Sequence, residues 1–195
     1  MPVLDDFKGA SILCKVAFIL LLIASMFTCI SYMTTSWGYA ANIPPSSSSS
    51  LNHIGLWRRC GDGDRPTGCS ALDGWANGWF GVVQALVTFG FFGILMTFFM
   101  VIRYIFVGKC QKNGEVGMAA GIIAIVTGIL YLIGCMVFAT KFNEYYIDTV
   151  VLDYKLGYSF ALSIVALVLE IIGGVLMIVE GKGVGGGGGK TQASA

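Results

Sequence analysis

Cys60 and Cys69 are the residues best placed to do chemistry in this chain of 195 residues. They stand nine positions apart in a polar stretch between two apolar runs. Two thiols that close within one loop either oxidise to a disulfide or share a metal ion. A structural zinc ion takes about four ligands, and no third or fourth donor stands nearby. Oxidation in an extracellular compartment is the expectation, with a zinc pair as the alternative.

Glu170, inside the last apolar run, is the second candidate. A carboxyl group at membrane depth is costly and calls for a partner, a proton or a function. Structural glue between helices and a functional contact are equally open. Cys110, beside Lys109 just past an apolar run, has the setting of an S-palmitoylated cysteine. Cys14, Cys29 and Cys135 lie inside apolar runs and read as small core residues. The single histidine, His53, has no assignable partner. No nucleophile–base pair, ligand cluster or phosphate loop stands out, and the glycine tract at 185–189 lacks the lysine and serine of one. An enzyme is not expected, and no cofactor is implied. A net charge of +1 offers no field for nucleic acid.

The elements that hold these side chains must be membrane helices. Hydrophobic residues make up 56% of the chain and charged residues 12%, which is more apolar surface than a soluble domain hides. Runs at 11–33, 79–102, 116–139 and 157–179 are long enough to cross a bilayer; a crossing of about 30 Å takes roughly 20 helical residues. In lipid the backbone must satisfy its own hydrogen bonds, so these runs are expected as helices. The first is too long for a signal-peptide core, and Asp5 and Asp6 spoil a basic leader, so it reads as a retained span.

Lys8, Lys15, Arg103, Lys109, Lys112 and Lys182 fall on one side of these spans. The positive-inside rule then puts residues 1–10, 103–115 and a flexible, glycine-rich tail at 180–195 in the cytoplasm. Residues 34–78 become a long outer loop and 140–156 a short one. All four tryptophans, Trp37, Trp57, Trp75 and Trp79, share the outer side. Trp37 and Trp79 border spans and suit interfacial anchoring. Trp57 is roughly twenty residues from either span and needs a folded loop to pack against.

Within the long loop, residues 40–51 hold Pro44, Pro45 and the serines 46–50. They are expected as an exposed segment: a contact loop, a glycosylated spacer or a plain linker. Arg58, Arg59, Asp62, Asp64 and Arg65 surround the cysteines with nearly cancelling signs, which suits a solvated hairpin. Glycines 117, 121, 128, 134, 173 and 174 permit close approach of helices within the chain.

Trp37, Gly55-Leu56-Trp57, Cys60 and Cys69 together resemble the W–GLW–C–C signature of the claudin superfamily. That superfamily includes claudins, peripheral myelin and epithelial membrane proteins, and gamma-type channel and receptor subunits. Gln84-Ala85 and the stretch Leu156-Gly157-Tyr158-Ser159-Phe160 are weaker echoes of it. The position beside Gln84 lacks the arginine common in claudins, as suits a divergent claudin-like member.

The resemblance implies an all-α transmembrane four-helix bundle carrying a small, disulfide-stapled extracellular antiparallel β-sheet. Leu56 and Trp57 would fix that sheet to the bundle. It further implies a multi-pass plasma-membrane protein of cell–cell contacts, contributing to adhesion and the paracellular barrier. Its partners would be membrane lipid and copies of itself in cis and trans, or related four-span proteins. Phe142, Tyr145 and Tyr146 are the expected exposed aromatic contacts. The alternatives are a channel or receptor auxiliary subunit and an epithelial-membrane-type organiser.

Overall fold

In a computed structural model, the described residues are 2–40, 53–62, 65–74, 78–107, 110–111, 113–147 and 154–187. A short helix α1 (Pro2–Gly9) precedes α2 (Ile12–Met33). Four strands follow: β1 (Gly38–Ala40), β2 (His53–Ile54), β3 (Arg58–Asp62) and β4 (Arg65–Ala71). Then come α3 (Gly78–Phe106), α4 (Gly114–Ile147), β5 (Tyr154–Leu156) and α5 (Tyr158–Gly187). Stretches Ile12–Met33, Gly78–Phe106, Gly114–Phe142 and Tyr158–Val184 are long and apolar enough to cross a membrane. The chain is thus a multi-pass, four-helix membrane protein with a small antiparallel sheet.

The helices outrun the apolar stretches that announce them. α4 continues through Lys141 and Glu144 to Ile147 because nothing there breaks a helix. Neither glycine nor proline occurs between 140 and 147, and the Thr140 hydroxyl donates back to Met136 O at 2.9 Å. Starts are capped in the usual way: Ser11 Oγ accepts from Cys14 N at 3.1 Å before α2, and Asn113 Oδ1 accepts from Glu115 N at 3.0 Å before α4.

By contacts the chain forms two compact units. One holds residues 1–25, 92–129 and 167–195. Its core joins Cys14, Ala17 and Leu21 of α2 with Val101, Tyr104 and Ile105 of α3, Ala120 of α4 and Met177 of α5. α1 adds Phe7, whose ring meets Phe18 edge-on at 5.8 Å and stacks on Phe106 at 6.5 Å. α4 and α5 touch through small residues: a Cβ on Gly174 would stand 2.7 Å from Ala124 Cβ, and one on Gly181 2.7 Å from Gly114 O. Such contacts bring backbones together where lipid supplies no hydrophobic drive between helices.

The second unit holds residues 26–91 and 130–166 and contains the sheet. Its strand order is β4-β3-β2-β1-β5, and every pair is antiparallel. Lys155, Tyr39, His53, Cys60 and Cys69 stand opposite one another in turn across all five strands. The edge strand β5 lies between α4 and α5, so the sheet is larger than the first loop alone supplies.

Candidate functional site

The sheet and its seat on the helices form the candidate site, and the β3–β4 hairpin is its centre. Cys60 faces Cys69 directly across the ladder, with Cα atoms 4.1 Å apart, and the two are joined in a disulfide. The zinc alternative therefore falls for this pair. Gly61 beside the staple has φ 83°, a left-handed value that a side chain strains against. It sits where the register slips between Cys60 and Asp62, so the glycine makes the bulge.

Gly55-Leu56-Trp57 forms the turn between β2 and β3, and each residue has a separate task. A Cβ on Gly55 would stand 2.7 Å from Thr34 O and Thr35 Cα, so the turn passes against the end of α2 only as glycine. Gly55 N donates to Arg58 O at 2.8 Å and closes the turn. Leu56 is buried. Its carbonyl accepts from Gln84 Nε2 at 2.8 Å, which ties the turn to α3. Trp57 keeps 39% of its surface exposed and sets its ring edge against Tyr32, centroids 5.4 Å apart.

Trp37 departs from the interfacial role its position suggests. It is fully buried. Its Nε1 donates to Ser31 O at 2.9 Å, and its ring meets Phe138 at 5.2 Å and Phe160 at 6.0 Å, edge-on in both cases. Its backbone is a junction: Trp37 N donates to Ile54 O at 2.9 Å, and Trp37 O accepts from Gly157 N at 2.8 Å. One residue thereby joins the turn after α2, strand β2 and the start of α5. Trp79 is half-buried in the first turn of α3, edge-on to Phe80.

A seam of hydroxyls completes the seat. Ser31 Oγ donates to Ser159 O at 2.7 Å and pairs with Ser163 Oγ, while Thr34 Oγ1 pairs with Ser159 Oγ at 2.7 Å. Ser159 N donates to Ser36 O at 3.1 Å. These serines satisfy one another in a buried setting, where an unpaired hydroxyl is costly. Spacing alone did not mark them, since Ser31, Ser159 and Ser163 are single serines in apolar runs and Thr34 and Ser36 stand at the start of a long polar loop.

Phe142 also differs from expectation. It is buried, not exposed. Its ring stacks on Phe138 with centroids 5.2 Å apart and lies directly beneath Gly38, where a Cβ would collide with it. The extension of α4 carries Phe142 under the sheet instead of into the loop. Tyr145 and Tyr146 lie in the last turns of the same helix, and their side chains are outside the described residues.

The remaining candidates stand apart from the sheet. Glu170 is buried and accepts from Thr127 Oγ1 at 2.9 Å. Cys110 is half-buried, with Arg103 Nη2 3.7 Å from its sulfur. Asp64, Trp75 and the serine segment 41–52 lie outside the described residues. Among the described residues no three His, Cys, Asp or Glu side chains gather as metal ligands.

The family model described as "PMP-22/EMP/MP20/Claudin family" matches residues 9–177. Claudin-10 of Mus musculus is 31% identical over 108 residues, covering 54% of this chain and 47% of that protein. Claudin-10 of Homo sapiens is 30% identical over 115 residues, with the same shares of each chain. The chain thus spans about half the length of the curated relatives it matches. The family match takes in four helices long enough to span a membrane and all five strands, stapled hairpin included, and the chain belongs to the PMP-22/EMP/MP20/Claudin family.

Proposed function

We propose that this protein is a non-catalytic adhesion and barrier component of cell–cell contacts in the plasma membrane. The observation that carries the reading is the five-stranded sheet, stapled at Cys60–Cys69 and bolted to the helices through Trp37, Leu56 and Gln84. A sheet so fixed is a rigid platform, and rigidity lowers the entropy lost when two such surfaces dock. Similarity to claudin-10 supports the same reading. A disulfide favours an oxidising compartment, which supports a reading with the sheet outside the cell and both termini in the cytoplasm.

The chain then associates with copies of itself or related four-span proteins, side by side in one membrane and head to head across two. Tyr145 and Tyr146 at the end of α4 are the aromatic contacts in this reading, the Gly55-Leu56-Trp57 turn and the staple being scaffold only. Cys110 is an acylation site on the cytoplasmic face, and Glu170 a helix-to-helix contact within the bilayer.

Expression of the tagged chain in cells that lack junction strands tests this. Enrichment where two expressing cells touch, and not at free edges, is the expected outcome. Uniform surface display with a co-purifying channel would instead make the protein an auxiliary subunit.

A further inference from the structure

The last membrane-compatible stretch carries one acid that neither the sheet nor its seat uses. Glu170 stands twelve residues after Tyr158 and fourteen before Val184, near the middle of that stretch. It is fully buried, and it shares a compact unit with Thr127. Cationic side chains are distant along each helix. On α5 the next is Lys182, twelve residues on, and on α4 Lys141 is fourteen residues from Thr127. On α3, Arg103 is ten residues from Gly93, where a Cβ would collide with the Thr127 side chain. Ten helical residues rise about 15 Å, which is more than an extended arginine or lysine spans.

The two carboxyl oxygens have different surroundings. Oε1 stands 2.9 Å from Thr127 Oγ1. Oε2 has no hydrogen-bond partner among the described residues. A Cβ on Gly128 would lie 3.6 Å from Oε2, 3.2 Å from Ile171 Cγ1 and 3.5 Å from Leu167 Cδ1, so Oε2 sits among apolar groups. A carboxylate placed there would hold a full charge with one donor and no counter-ion. Such a group neutralises instead.

The protons at Thr127 lead to the same state. A hydroxyl has one proton to give, and Thr127 Oγ1 has two acceptors close by, Ile123 O at 2.7 Å and Glu170 Oε1 at 2.9 Å. With an ionised Glu170, Thr127 must give its proton to the carboxylate, and the bond back to Ile123 O is lost. With a protonated Glu170, Oε1–H donates to Thr127 Oγ1, and Thr127 donates to Ile123 O. Both contacts are then hydrogen bonds.

We propose that Glu170 is a proton-binding site inside the bilayer. In the folded chain its side chain is a neutral carboxylic acid that donates to Thr127 Oγ1. The bound proton lets α5 bring its acid against α4 without water. One turn further on, a Cβ on Gly121 would stand 2.5 Å from Gly174 O, an approach too close to admit the hydration shell of a carboxylate. The proposal rests on Glu170 being a helix-to-helix contact and adds the charge state of that contact.

Infrared spectroscopy of the full chain in phosphatidylcholine bilayers at neutral pH tests this. The wild-type spectrum is expected to hold the carbonyl stretch of a protonated carboxyl, and Glu170→Gln should lose it. Thr127→Val leaves the acid in place but removes its acceptor, so the band should move to higher frequency. This second comparison decides the matter even where Glu170→Gln does not fold. No acid band in the wild type, or a carboxylate signal that Glu170→Gln removes, would overturn the proposal while leaving the contact with Thr127 in place. An acid band unmoved by Thr127→Val would overturn it through the contact itself.

Discussion

Gln84 and Leu56 are joined across 28 residues of sequence by one hydrogen bond, from the carboxamide of α3 to a main-chain carbonyl, at 2.8 Å. A second, longer contact runs from the same nitrogen to Leu72 O. One side chain therefore holds both ends of the β3–β4 hairpin, just before it and just after. Backbone carbonyls buried in a tight turn have few other donors, so this amide substitutes for ladder hydrogen bonds that the turn cannot make.

Gln84→Leu should accordingly loosen the hairpin without emptying the core. Leaving a buried carbonyl unpaired costs about 1–3 kcal/mol. The expected result is a lower unfolding midpoint in detergent and faster reduction of the Cys60–Cys69 bond. An unchanged midpoint would show that the amide is dispensable.

Removal of the staple has a separate signature. The disulfide closes a loop with a sequence separation of 9, and a loop of that order is stabilised by about 2–3 kcal/mol. Cys60→Ser should reduce surface delivery sharply. Alkylation of intact protein should reach Cys60 and Cys69 only after reductant; labelling of either before reduction would refute the bond.

Gly55→Ala sets a Cβ against main-chain atoms that have nowhere to move, Thr34 O and Thr35 Cα at 2.7 Å. Overpacking of this kind costs about 1–3 kcal/mol. The fraction of chain maturing to the cell surface should fall, and Gly55→Val should be worse. Equal maturation of both variants would mean that the turn is not held against α2.

Phe142→Ala discriminates between the two roles this residue could have. As a buried ring between Phe138 and Gly38 it should cost about 3–5 kcal/mol of stability, measurable in isolated monomers. An exposed contact residue would leave the monomer unchanged and weaken only association.

For Glu170 the informative experiment is a double-mutant cycle with Thr127, 2.9 Å away. Hydrogen bonds between membrane helices average about 0.6 kcal/mol and reach about 1.7 kcal/mol. Thr127→Val should therefore destabilise the wild-type chain measurably and do almost nothing in a Glu170→Leu background. Equal effects in both backgrounds would mean that the two residues are not coupled.

Much of this architecture was legible in the residues because membrane physics leaves little choice. Long apolar runs must be helices, and paired cysteines in one polar loop suggested their own bond. The fold class and family followed from those runs and from Trp37, Gly55-Leu56-Trp57, Cys60 and Cys69. The fifth strand was not legible: Tyr154-Lys155-Leu156 is three residues long, and its pairing partner, β1, lies more than a hundred positions earlier. Phe142 was misjudged because the end of an apolar run was taken as the end of the helix. The hydroxyl seam and the Gln84 clamp were hidden for a related reason, since both are tertiary pairings between residues that look unremarkable alone.

The placement of β5 has a consequence for how the protein is made. Synthesis runs from the N-terminus, so β1 to β4 and both staple cysteines are complete before α4 is synthesised, and β5 follows it. The hairpin can be oxidised early, but β1 keeps an open edge until the third long helix has been threaded through the membrane. Trp37 likewise waits, with its carbonyl unpaired, for Gly157. Closing the sheet is thus a late assembly step that reports on correct insertion of the whole chain. A nascent protein that stalls before residue 154 would carry a finished disulfide and an unfinished edge, a surface that chaperones of the secretory pathway can recognise as immature.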